Sequence, residues 1–241
     1  MFRRSADCKP GYELIIMQQL LLDIQPLPSP TLANFLPGRN TELLQVLTNV
    51  LSKQEKERFV YLWGVRGCGK SHLLQATVEA YTQRNLKAVY FSAKNHYEFP
   101  VDSAIDCVAI DDIDALDVSA QAELFNLYNR LRDESHAFLL LSGAMAPMYL
   151  EMRQDLVTRL GWGLVYQVHE LTEEEKIQAM KSHAADCGFD LSQEICLYLL
   201  RHGQRDLPSL IMTLDALDRY SLVNQRQITI PLLRELLQVA S

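Results

Sequence analysis

Apolar positions along this chain follow two spacings. Short, nearly continuous apolar runs stand at residues 59–63, 86–92, 105–111, 137–142 and 164–168. Between them lie stretches with an apolar stripe at helical spacing. Leu43, Leu44, Leu47, Val50 and Leu51 share one face of residues 41–54, and Leu124, Phe125, Tyr128 and Leu131 share one face of residues 119–133. Strands buried on both sides, alternating with amphipathic helices, predict a parallel sheet covered on both faces. The expected class is α/β, doubly wound, with its ligand at the carboxyl ends of the strands.

After Val168 the strand runs stop. Thr172 and Glu175 form a capping box that predicts a helix to about residue 186. Further helices are expected near residues 193–201 and 208–222, the latter with Leu210, Ile211, Leu214 and Leu217 on one stripe, and a short one from Thr229. At the other end, Pro26, Pro28, Pro30 and Pro37 oppose regular structure and predict an extended, mobile arm. The expected organisation is an arm over 1–37, an α/β domain over 38–170 and a helical domain over 171–241.

The first strand run feeds Gly64-Val65-Arg66-Gly67-Cys68-Gly69-Lys70-Ser71, which fits the phosphate-loop pattern G-x-x-x-x-G-K-[ST]. A helical pattern follows from Ser71, so the loop aims backbone N–H groups and a helix N-terminus at one point. Gly64, Gly67, Cys68, Gly69, Lys70, Ser71 and His72 are the expected nucleotide-binding residues. Lys70 would reach the terminal phosphates, and Ser71 would ligate magnesium. The third strand run ends at Asp111-Asp112. Asp111 is the expected water-mediated magnesium partner. Asp112 stands where vigorous ATPases carry a longer glutamate, so it is a weak candidate for the chain's own catalysis, and slow hydrolysis is expected.

Charge and cysteine narrow the picture. The formal net charge is −7, against the basic surface of a duplex-DNA reader. Five cysteines without a C-x-x-C pair read as reduced thiols, and the six scattered histidines receive no metal role. With no long apolar run, no membrane span is expected, and the cytoplasm is the expected compartment. The start could be Met1 or Met17.

Two arginines stand apart: Arg159 in Arg159-Leu160-Gly161-Trp162-Gly163, and Arg205 in Gly203-Gln204-Arg205. Together with the phosphate loop and Ile110-Asp111-Asp112-Ile113, they resemble the AAA+ ATPase core of the bacterial replication initiator DnaA, from about Phe35 to Leu237. No helix-turn-helix reader follows in this sequence, so the chain is most similar to the DnaA-related Hda family. Gln19, Leu20, Leu22 and Ile24 are similar to the Q-L-x-L-x-[LF] peptide that docks on the replicative sliding clamp (the DNA polymerase beta subunit).

The resemblance implies an AAA+ core with a five-stranded parallel sheet and a small helical lid. It implies ADP or ATP with Mg²⁺, and Arg205 as a nucleotide sensor. Arg159 would be an arginine finger acting in trans on DnaA, in a nucleoid- or replisome-associated negative regulator of replication initiation. No sequence-specific DNA contact is implied, and homodimerisation or a higher oligomer stays open. The family's acid–base pair after the fourth strand is replaced by Ala144 and Met145. The alternatives are an AAA+ ATPase of the helicase-loader type and a truncated initiator that recruits DnaA without a clamp link.

Overall fold

The computed structural model describes residues 29–239 apart from 53, 55, 96, 97, 101, 103, 135 and 205. The chain divides into two compact units, one spanning Ser29–Thr172 and the other running on from Glu173. In the first, β1 (Phe59–Trp63), β2 (Ala88–Ser92), β3 (Cys107–Asp111), β4 (Phe138–Gly143) and β5 (Leu164–Gln167) form one parallel sheet in the order β2-β3-β4-β1-β5. Its helices are α1 (Thr41–Leu51), α2 (Lys70–Thr82), α3 (Val118–Glu134) and α4 (Gln154–Leu160).

Alternation along the strands builds two cores. Phe59, Tyr61, Val108, Ile110, Leu139 and Leu141 point to one face and pack with Leu124, Tyr128 and Leu131 of α3 and Leu156 and Leu160 of α4. Val60, Leu62, Cys107, Ala109, Phe138 and Leu140 point to the other and meet Leu43 and Leu47 of α1 and Leu73 and Leu74 of α2. Because both faces are covered, the central strands have no polar side and read as unbroken apolar runs. α4 departs from the sequence reading, which assigns no helix before the fifth strand. It is only two turns long, and its Leu156-Val157 and Leu160 are compatible with either period.

The end of the expected arm also departs from that reading. Residues 29–37 lie against the domain: Leu32 and Phe35 pack on the α1–α2 core, and the His72 ring meets the Thr31 carbonyl oxygen at 3.0 Å. Two apolar side chains here bury surface that a free arm would expose to water.

The second unit contains α5 (Glu173–Asp186), α6 (Gln193–His202), α7 (Leu207–Asn224) and α8 (Ile230–Val239). Met180, Leu199, Leu214, Leu217 and Leu232 form its core. Ser192 and Asp206 cap α6 and α7 by accepting the Ile195 and Ser209 N–H groups. Among the described residues, no helix is long and apolar enough to cross a membrane.

Candidate nucleotide site and the arginine corner

β1 delivers the chain into Gly64–Gly69, and α2 opens at Lys70. Gly69 has φ +103°, a left-handed backbone that turns the loop into the helix. No side chain caps α2, so the N–H groups of its first turn, which have no acceptor inside the helix, face the loop. The Lys70 side chain is buried, and its ammonium donates to the carbonyl oxygens of Gly64 at 2.7 Å and Val65 at 3.1 Å. Cys68 lies beneath, its Sγ 3.9 Å from Lys70 Nζ. Burial pushes this thiol up, while the lysine charge pulls the other way. A buried cation bonded to neutral carbonyls, beside free helix N–H groups, fits a phosphate. Ser71 is exposed at the start of α2, and His72 is half-buried against Phe35.

β3 and β4 place the acidic end of the site. Ile110 pairs with Leu141, which sets Asp111 beside Ser142. Asp111 is only 2% exposed, and its two oxygens accept from the Tyr90 hydroxyl at 2.8 Å and from the Ser142 hydroxyl. Burial, with the carboxylate beside it, pushes the Tyr90 hydroxyl up to about 12, so it remains a donor. A carboxylate has about four lone-pair sites, so these two bonds orient Asp111 and leave room for a metal-bound water.

Asp112 turns away in a left-handed conformation (φ 56°). Its N–H donates to Ser142 Oγ at 3.1 Å, and its carboxylate pairs with the Lys94 ammonium. That hydrogen bond, together with the carboxylate's charge, raises the Lys94 pKa. Lys94 and Tyr90 are missed by sequence reasoning. The signal was their place on and just after β2, the strand neighbouring β3. Ala144 and Met145 are held through their backbone. The Ala144 N–H donates to Asp114 at 3.0 Å, and the Met145 carbonyl accepts from Tyr61 at 2.7 Å.

Arg159 occupies the last turn of α4. The chain reverses there, with the Trp162 N–H donating to the Arg159 carbonyl at 3.1 Å. This folds the indole onto the guanidinium, 3.9 Å from ring centroid to Cζ. Arg132 of α3 lies against the same ring at 4.6 Å. A Cβ at Gly163 would collide with the Phe59 carbonyl oxygen, so glycine is needed where the chain enters β5. The Arg-Leu-Gly-Trp-Gly box is therefore one local fold. Trp162, whose role the sequence leaves undecided, is 51% exposed. Arg159 is half-buried, its Nε is buried without a hydrogen-bond partner, and it forms no ion pair among the described residues.

Lys70, Asp111 and Asp112 thus stand around one end of the sheet, whereas Arg159 belongs to the separate α3–α4 corner. Arg205 and the peptide Gln19, Leu20, Leu22 and Ile24 lie outside the described residues. The sequence reading assigns the histidines and cysteines no ligand role; in the second unit His183, Cys187 and Asp215 come together. His183 and Cys187 are four residues apart, one helical turn, so they share a helix face.

A five-stranded parallel sheet carrying this loop, followed by a helical unit, defines a phosphate-loop nucleotide-binding protein of the AAA+ class. The sequence matches the family described as bacterial DnaA ATPase domain over residues 28–167, and Hda, lid domain, over residues 173–237. The chain belongs to the bacterial DnaA ATPase-domain family, in its Hda-like, DnaA-related branch.

Solved structures of the same fold agree. Domain III of the Thermotoga maritima replication initiation protein DnaA superposes with a TM-score of 0.70 at 21% identity, covering 88% of this chain and 98% of that one. AMPPCP-bound DnaA from Aquifex aeolicus gives 0.64 at 22% identity, covering 81% and 68%. A Thermotoga maritima RuvB variant gives 0.64 at 15% identity, covering 89% and 73%.

Proposed function

We propose that this protein is a nucleotide-bound regulatory adaptor that stimulates ATP hydrolysis by the initiator DnaA. The observation that carries this reading is Arg159, a permanently charged planar fork with a buried Nε that has no partner. A guanidinium held on an aromatic face, unneutralised by any carboxylate among the described residues, is suited to a phosphate brought by another molecule. The Hda lid and DnaA ATPase-domain matches support the choice of partner.

The chain's own site would hold an adenine nucleotide, for which the AMPPCP-bound relative gives support. Lys70 and the first-turn N–H groups of α2 would hold the phosphates. Ser71 and, through water, Asp111 would hold Mg²⁺, which would neutralise phosphate charge. ADP is the form expected to persist, because Asp112 is short for a water-orienting acid and is already paired with Lys94. Bound nucleotide would then favour one arrangement of the protein rather than drive turnover. Gln19–Ile24 would dock on the DNA-loaded sliding clamp and bring Arg159 to DnaA there.

The test is hydrolysis of DnaA-bound ATP with clamp-loaded DNA. Arg159→Ala is expected to lower the stimulated rate by about 10³-fold or more, at least roughly 4 kcal/mol of barrier. Deleting residues 1–25 is expected to abolish clamp binding and stimulation together. Full stimulation by the Arg159→Ala protein would overturn the reading.

A further inference from the structure

The second unit carries three side chains of metal-ligating type in one cluster. His183 lies in the last full turn of α5, and Cys187 follows one turn later, its N–H donating to the His183 carbonyl at 3.0 Å. Asp215 projects from the middle of α7. One donor atom from each of the three lies within 4.8 Å of the other two. His183 Nε2 is 2.6 Å from Asp215 Oδ1 and 3.7 Å from Cys187 Sγ.

The backbone around the cluster is firmly set. Gly188 is left-handed (φ +87°), its N–H donates to the Ala185 carbonyl at 3.0 Å, and the Phe189 N–H donates to the Ala184 carbonyl at 3.0 Å. These two hydrogen bonds end the helix and fix the direction of Cys187. Ala184 and Leu214, each adjacent in sequence to one of the ligating residues, are fully buried in the core that joins α5 to α7.

We propose that His183, Cys187 and Asp215 form a zinc site that ties the end of α5 to α7. One imidazole nitrogen, one thiolate and one carboxylate make a mixed N/S/O set suited to Zn²⁺ rather than to Mg²⁺ or Ca²⁺, which take oxygen shells. Tetrahedral zinc with bonds of about 2.0–2.3 Å sets neighbouring ligand atoms about 3.5 Å apart. The observed sulfur–nitrogen spacing matches that. The His183–Asp215 hydrogen bond would open by about 0.7 Å as the ion replaces its proton. The carboxylates of Asp218 and Asp186 add negative charge near Cys187, which favours a dication. Three protein ligands leave the fourth position to water. The site lies within the second unit and does not depend on the adaptor reading.

The experiment uses the full chain under reducing conditions, stripped of metal and titrated with Co²⁺ and then Zn²⁺. One equivalent of Co²⁺ is expected to produce a thiolate-to-cobalt charge-transfer band. That band should vanish in Cys187→Ser, whose side chain is exposed and not needed for packing. It should weaken at least tenfold in apparent affinity in His183→Asn and Asp215→Asn. Zn²⁺ should displace Co²⁺ and raise the thermal midpoint by at least about 4 °C in the parent alone. The proposal is overturned by the lack of a thiolate band in the parent, or by a band that survives Cys187→Ser and so arises from another thiol. A midpoint lowered by Asp215→Asn but indifferent to Zn²⁺ would likewise reduce the cluster to a hydrogen bond between helices.

Discussion

The phosphate loop and the arginine corner handle charge in opposite ways. At the loop Lys70 rests on two carbonyls, Asp111 on two hydroxyls and Asp112 on Lys94, while Arg66 of the loop is exposed. At the corner, Arg159 has an aromatic face and no carboxylate among the described residues. A site whose charges are mutually satisfied holds a ligand and one geometry. Lys70 too lacks a counter-charge and is open to a phosphate there; a half-buried guanidinium without one likewise favours an anion supplied from outside the unit. The contrast supports the proposal that the nucleotide serves as support while the guanidinium acts on another molecule.

Three substitutions sharpen that contrast. Lys70→Ala removes the buried ammonium, and adenine-nucleotide affinity measured by calorimetry should fall roughly 10- to 100-fold, the value of a charge-assisted bond of about 1.5–3 kcal/mol. An unchanged affinity would mean that the loop does not grip phosphate through Lys70.

Ser142→Ala removes a donor to Asp111 and the acceptor of the Asp112 N–H. Stability in urea should drop by about 1–2 kcal/mol, because buried polar groups lose partners. If the denaturation midpoint does not move, the two aspartates are not being held by that hydroxyl.

Trp162→Ala takes away the ring shared by Arg132 and Arg159. Stimulation of DnaA-bound ATP hydrolysis should fall only about 2- to 5-fold, a cation–π contribution of roughly 0.5–1 kcal/mol, with nucleotide affinity untouched. A loss as large as that of Arg159→Ala would show the indole to be a direct contact rather than a support.

Much of this was legible in the chain. The phosphate loop could be read because a buried strand, a glycine turn and a helix must follow one another to make it. The central strands could be read because burial on both faces leaves no polar alternation to confuse them, as in β3 and β4. The short α4 was hidden because seven residues carry too little period to tell helix from strand. The environment of Asp111 was hidden because Tyr90 and Ser142 come from different strands, brought alongside only by the sheet order. The stack of Arg132 on Trp162 joins residues thirty positions apart, and no local pattern encodes it. His183 and Cys187 were legible as a one-turn pair, but Asp215 entered only when α5 met α7.

The contact between Thr31 and His72 also sets a leash. Ile24 precedes Thr31 by seven residues, and a fully stretched chain gains at most about 3.6 Å per residue. A partner gripping the proposed docking peptide at Ile24 would therefore be confined within about 25 Å of that anchor. In the proposed complex the spacing between captor and ATPase unit would be set by the number of residues between them rather than by an interface.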